Sequence, residues 1–435
     1  MRPMTDETLA DPPAEQLPTD VDAVELRQHW RRDIGVFLTG QTVSLFGSML
    51  VQYAVIWYLT LETKSGVVLA LAAVFGFLPQ AIVSIFGGVW ADRLNRKLLI
   101  IGADSAIAVS TLVLALLMLS GVTDLWIIFV ALAVRSTGAG IQMPAVSALI
   151  PQITPTRHLL RVNGAFATVQ SAMALIAPAV AGILYATAPL VAIFFIDVVT
   201  AAIGVALLAS IAVPTIRSAG ALQQGYFADL VEGVRYVAHH AFVRWLLVLF
   251  GVNFLLTVAP SYLTPLMVAR TFGEEVWKLT VLELAFSVGM VLGGIVVSVL
   301  GGTRLGGPRS RVPMIVVSSL IFGVLSIALG LSTSLIIFYI FMFMVGLAVP
   351  FFSTPAMTLL QERVEPDKQG RVFGFVGIVM SVAMPIGMVF FGPLADIVSV
   401  QLLLVIAGVL TFIVITVAVL VPSGRSAMRA AGAEH

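Results

Sequence analysis

The chain has 435 residues, of which 59% are hydrophobic and only 11% charged, with a formal net charge of +1 and no cysteine. Soluble domains carry about 25% charged residues, so a chain with mean hydropathy +1.04 lacks the polar surface of a soluble globule and is read as an integral membrane protein. The charge balance predicts no nucleic-acid partner, and the cysteine count excludes disulfides, thiolate metal sites and cysteine catalysis.

Residues 1–32 read as a disordered cytoplasmic tail. They hold Pro3, Pro12, Pro13 and Pro18, several acidic residues and few large apolar ones. A basic start followed by an apolar core is lacking, so the segment is not read as a secretory signal. Apolar runs of spanning length follow. A bilayer core of about 30 Å takes about 20 helical residues. Spans are predicted at 34–60, 67–91, 97–119, 124–149, 163–187 and 189–213, then at 244–269, 276–300, 312–331, 335–360, 371–396 and 400–422. The runs are continuously apolar rather than alternating, which predicts helices and not barrel strands.

Lysine and arginine orient the spans. With the N-terminus inside, Lys64, Arg270 and Lys278 fall outside, Arg135 lies within a span, and all the others are cytoplasmic. The positive-inside rule therefore predicts cytoplasmic termini. Between the two sets of six spans, residues 214–243 form a linker. In it Phe227, Leu230, Val231, Val234 and Val237 recur at helical spacing, predicting an amphipathic helix on the membrane surface. The domains expected are thus residues 33–213 and 244–422 as six-helix bundles, with residues 423–435 as a second cytoplasmic tail.

The halves are related in sequence. Arg93-Leu94 returns as Arg304-Leu305, an offset of 211 residues (304 − 93). At the same offset Pro144-Ala145, Leu149 and Pro155 meet Pro355-Ala356, Leu360 and Pro366. Parallel repeats of six spans predict two bundles related by an axis along the membrane normal.

The loop after the second span carries Gly88-Val89-Trp90-Ala91-Asp92-Arg93-Leu94-Asn95-Arg96-Lys97. It resembles the Gly-x-x-x-Asp-Arg-x-Gly-Arg-Lys signature of the major facilitator superfamily, with Asn95 in place of the second glycine. Asparagine tolerates a left-handed backbone almost as glycine does, so the departure is mild. More narrowly, Arg135-Ser136-x-Gly138, Pro144-Ala145, Asn163 and Glu232-Gly233-x-Arg235-Tyr236-Val237 look like the macrolide-efflux branch of the drug–proton antiporters and the related siderophore exporters. Ala177-Pro178-Ala179-Val180-Ala181-Gly182 keeps Pro178 and Gly182 of the antiporters' span-five packing motif.

The resemblance implies an all-α integral membrane protein with twelve transmembrane helices in two six-helix pseudo-repeats. It implies a multi-pass plasma-membrane transporter rather than an enzyme, working as a monomer on a small-molecule substrate in the bilayer. It also implies a gating loop of Gly88, Asp92, Arg93, Arg96 and Lys97, which latches onto the span beginning near Arg371. No cofactor or metal is expected beyond a proton gradient. No Gly-x-x-x-x-Gly-Lys-[Ser/Thr] loop is present to drive transport by ATP.

Intramembrane charge is costly, about 2.5–3.5 kcal/mol on insertion scales, so each ionisable residue in a span needs a reason. Arg135 lies roughly 16 Å deep, near the bilayer midplane. Arg135, Asp33 and Glu283 are candidates for proton coupling or substrate charge, and Asp104 and Asp197 for buried charge partners. Gln41, Gln52, Tyr53, Trp57, Asn253, Phe254 and Tyr262 are candidate cavity residues. An apolar cavity with a few amides and aromatics suits amphipathic organic molecules. The function expected is proton-driven efflux of lipophilic or amphipathic compounds such as macrolide-type drugs. A proton-coupled importer and a siderophore or metabolite exporter on the same fold are the alternatives.

Overall fold

The computed structural model describes residues 30–213, 235–301, 308–365, 368–422 and 424–426. The tail before residue 30, most of the expected amphipathic helix and the loop with Arg304, Leu305 and Gly306 lie outside the described residues. Twelve helices long and apolar enough to cross a membrane are present among the described residues, matching the twelve predicted spans. The first six are α1 (Trp30–Thr63), α2 (Gly66–Arg93), α3 (Arg96–Leu119), α4 (Leu125–Ile153), α5 (Leu159–Thr187) and α6 (Leu190–Ser210). The second six are α7 (Ala241–Thr271), α8 (Val276–Gly301), α9 (Pro308–Leu331), α10 (Leu335–Arg363), α11 (Gln369–Ile397) and α12 (Val400–Leu420). Below, "distal" means the end of the bundle opposite the chain termini.

Helix boundaries follow local chemistry. Ser65 caps α2 and Ser399 caps α12, each accepting from the backbone N–H three residues on. Asn95 caps α3 in the same way, with φ −67° and ψ 110°. The left-handed backbone that asparagine tolerates is not adopted there. The asparagine keeps its place because its side chain accepts from the Leu98 N–H, which glycine could not provide.

The packing repeats as the sequence does. α1 packs on α5 and α6, α2 on α4, and α3 on α4 and α6. The same set returns as α7 on α11 and α12, α8 on α10, and α9 on α10 and α12. Across the halves α2 meets α11 and α5 meets α8, a pair of contacts related by the same repeat. Trp126 and Trp277 sit exposed in the first turns of α4 and α8 at the distal end, where amphipathic rings favour a membrane interface. Exposed Ile82, Val109, Ile295 and Ile413 lie in mid-helix, as expected of surface solvated by lipid rather than water.

Close helix approach is set by small residues. A Cβ at Gly47 on α1 would fall 1.9 Å from Thr200 Oγ1 and 3.0 Å from the Cα of Asp197 on α6. Gly47→Leu is expected to push α6 away and to destabilise the fold by about 1–3 kcal/mol, the usual cost of overpacking. A lowered unfolding temperature in detergent, with Gly35→Leu as the control in open space, is the measurement. Equal temperatures for the two variants would contradict the packing argument.

Candidate functional site

At mid-depth of the N-terminal half, four helices converge on one ion pair. Arg135 on α4 donates through Nη1 to Asp197 Oδ2 on α6 at 2.5 Å. The same Nη1 donates to Thr111 Oγ1 on α3, and Nη2 donates to the Ser48 carbonyl on α1 at 3.2 Å. Asp197 also accepts from Ser48 Oγ at 3.3 Å and from Thr111 Oγ1 at 3.0 Å. Its side chain is 0% exposed, and that of Arg135 12%. A buried ion pair is tolerated only when both partners are present and their remaining hydrogen-bonding groups are satisfied.

Arg135 is also part of a cavity wall. The cavity, about 320 Å³, is bounded by α1, α2 and α4, with contributions from α3 and α5 and Tyr262 of α7. Its polar groups include Gln41, Gln52, Gln80, Gln142 and Gln170. Gln142 lies two helical turns from Arg135 on α4 and donates through Nε2 to buried Asp104 Oδ1 on α3 at 2.5 Å. Two of the cavity-facing groups of α4 are thus each held from behind by an aspartate. Asp197 pairs with Arg135. Asp104 instead takes an amide: among the described residues no cation pairs with it, because the residue of α4 that faces it is Gln142. Beside Pro79, the Gln80 N–H donates to Ser136 Oγ at 2.9 Å, joining α2 to α4 across the cavity wall.

The arginine has no counterpart in the C-terminal half because there is no room for one. Gly346 stands at its repeat position, and a Cβ there would meet the Phe286 carbonyl at 2.1 Å. At that level α8 and α10 are in backbone contact.

The distal ends of the halves are bolted together. Asp396, at the end of α11, accepts from Ser65 Oγ at 2.7 Å, Gly66 N at 2.7 Å and Val67 N at 2.9 Å. A carboxylate at the N-terminus of α2 satisfies free N–H groups and complements the helix dipole. Arg270 at the end of α7 donates to Asp396 Oδ1 at 2.6 Å and to the carbonyls of Lys64 and Ala395. Lys64, held at φ 48°, also pairs with Glu274. Glu275 next to it is kept below the usual carboxylate range by its hydrogen bond to Lys278. Gly392 lies against the Gly66 carbonyl, where a Cβ would be 2.5 Å away.

Comparison with known proteins agrees with this architecture. The Major Facilitator Superfamily profile matches residues 37–312 and again 284–434. The chain belongs to the major facilitator superfamily. This transporter is 31% identical over 403 residues to macrolide efflux protein A of Streptococcus pyogenes, spanning 92% of this chain and 97% of the relative. It is 30% identical to macrolide efflux protein A of Enterococcus faecalis over 74% of this chain and 99% of that one. Among solved structures, a POT family transporter in complex with 5-aminolevulinic acid superposes with TM-score 0.70 at 15% identity, covering 91% of this chain and 96% of the other.

Not all residues predicted for the transporter's site meet at one place. Gln41, Gln52 and Tyr262 line the main cavity with Arg135. Trp57 does not: it is 0% exposed, in the core, with its ring 5.8 Å from that of Tyr53. Tyr53 is likewise absent from the wall, although Gln52 and Ile56 at the same depth of α1 line it, so helix face separates the two sets. Glu283 on α8 lies within electrostatic range of Tyr53 and Tyr262, near the seam between the halves. Asn253 and Phe254 line a separate cavity inside the C-terminal half. Asp33 stands in the first turn of α1, away from the cavity lining.

In the gating loop, Gly88 has open space around it and Arg93 is exposed. Arg96 donates to the carbonyls of Ala91 and Ala148, and Lys97 to those of Ala209 and Ile211, all within the N-terminal half. The side chains of Asp92 and Arg371 lie outside the described residues. Pro178 and Gly182 are buried on α5, and Gly182 packs against Thr280 of α8 across the halves. Sequence reasoning missed Gln80, Gln142 and Gln170, although a glutamine inside a span is itself a signal. It also missed Asp396, whose only mark is its place at the end of an apolar run.

Proposed function

We propose that this transporter exports lipophilic or amphipathic compounds, macrolide-type molecules among them, by alternating access driven by the proton gradient. In this reading it works as a monomer in the plasma membrane with cytoplasmic termini. It uses no cofactor, and the distal end is the outer face. The observation that carries the reading is the cavity itself. A mostly apolar space with five glutamines and an anchored arginine can hold an amphipathic molecule without committing to one polar pattern. The likeness to macrolide efflux proteins over nearly the whole chain supports the substrate class.

Closure at the distal end by the Asp396 cluster supports a state shut to the outside, from which cargo is collected on the inner side or from the inner leaflet. Opening the outside must then break that cluster, while the loop at Gly88, Asp92, Arg93, Arg96 and Lys97 closes the inside. Glu283 is the carboxylate we assign to the proton. It lies near the seam, where rocking of the halves would turn it from one side to the other. Asp33 is the second candidate, at the inner mouth.

Proteoliposomes with an imposed pH gradient test this. Erythromycin should accumulate on the acidic side, and Glu283→Gln should uncouple its movement from the gradient. Erythromycin flux indifferent to the gradient in wild type would end the coupling claim, and flux in the opposite sense would favour the importer.

A further inference from the structure

The second cavity lies wholly within the C-terminal half and shares no lining residue with the first. It measures about 210 Å³. Phe250, Phe254, Phe286, Phe322 and Phe352 face it. The Phe352 ring is centred 5.3 Å from that of Phe250 and 6.5 Å from that of Phe322. Rings at such spacings accept another aromatic ring edge-on or offset.

One polar group in this wall is unspent. Asn253 is 3% exposed, and its Oδ1 is buried without a hydrogen-bond partner. Three of the five hydroxyls in the wall are spent elsewhere. Thr257 donates to the Phe254 carbonyl at 2.8 Å, Ser326 to Leu404 at 2.7 Å and Thr411 to Ala407 at 2.8 Å. Pro260, also in the wall, has no N–H for the Leu256 carbonyl one turn before it. Ser261 and Ser353 also line the wall, and Asn253 Oδ1 is the buried acceptor left for a donor on a ligand. A buried orphan acceptor is costly.

We propose that this cavity is a binding site for a compact neutral aromatic molecule bearing one hydrogen-bond donor, a phenol or an arylamine. The donor is directed at Asn253 Oδ1 and the ring lies among the phenylalanines. The volume is below the range of about 300–1,000 Å³ usual for drug-sized ligands, so a one- or two-ring molecule fits and a macrolide does not. The site is thus separate from the transport cavity. Its ligand sits mainly between α7, α9 and α10, where it adds contacts inside the C-terminal half.

The test is equilibrium binding to the purified full-length protein in detergent, with 1-naphthol and 1-methoxynaphthalene as probes. They share the ring and the oxygen, and differ by a methyl group in place of the donor hydrogen. Wild type should bind one 1-naphthol per chain, roughly tenfold or more tighter than the methoxy compound, the factor worth about 1.4 kcal/mol. Asn253→Leu should remove that preference while leaving the methoxy affinity within about threefold. Ser353→Phe, which fills the cavity from α10, should abolish binding of both while the protein stays monodisperse. Absence of saturable naphthol binding, equal affinity for the two probes, or a preference that survives either variant would overturn the proposal. Equal affinity would indicate a greasy space open to lipid chains.

Discussion

Arg135→Ala is expected to abolish transport and to strip much of the fold's stability. The substitution leaves Asp197, 0% exposed, as an uncompensated charge among α1, α3, α4 and α6. Removing one partner of a buried pair costs about 3–5 kcal/mol. Ser48 and Thr111 would still donate to it, but two hydroxyls do not replace a cation. Asp197→Ala should be equally damaging, since it leaves the guanidinium unpaired at the cavity wall. The double variant Arg135→Met/Asp197→Leu separates structure from function. Replacing both partners with apolar groups is often neutral or stabilising, so thermal unfolding in detergent should return toward wild type. Transport of erythromycin should not return, because the cavity has lost its only cation among the lining residues. Recovery of both together would show that the pair is purely architectural.

Asp396→Ala should shift the balance between states toward one open at the distal end. The carboxylate takes charge-assisted bonds from α2 and α7 at once, and such bonds are worth about 1.5–3 kcal/mol each. Losing even one net bond of this kind changes the ratio of states by roughly ten- to a hundredfold. Gly392→Leu should act in the same direction by wedging α2 from α11, since its side chain has to enter the space of the Gly66 carbonyl and the Ala70 side chain. The chain has no cysteine, so Glu62→Cys and Ile397→Cys can carry spin labels on an otherwise unmodified protein. The distance distribution between them should lengthen in both variants. An unchanged distribution would mean that the cluster stabilises the fold without governing the opening.

These two sites were not equally legible beforehand. Arg135 announces itself, because a charge in mid-span demands a partner, and the depth read from α4 is enough to find it. That its partner is Asp197 rather than Asp104 depends on which faces of α3 and α6 turn toward α4. Trp57 shows the same limit: four residues separate it from Tyr53, all on an apolar stretch, and only packing decides that it fills the core and not the cavity. Asn95 shows it for the backbone. A residue able to adopt a left-handed turn also makes a good helix cap, and the geometry of the short α2–α3 connection selected the cap.

The amino-acid sequence by itself determined the membrane class, the twelve helices and the pairing of the two halves. The reason is that hydrocarbon leaves the backbone no solvent partner, so continuous apolar runs have to become helices of bilayer length. It also determined that charge inside the spans is concentrated in the N-terminal half, with Arg135 facing Gly346 across the repeat. The tertiary structure alone decided the rotation of each helix, and with it the separation of one expected cavity into two. It alone brought Asp396 to the N-terminus of α2, more than 300 residues away in the chain. Helix rotation in lipid is set by close contact between small residues and by a few polar bonds. Those terms depend on neighbours remote in sequence, and so they cannot be read along one strand of it.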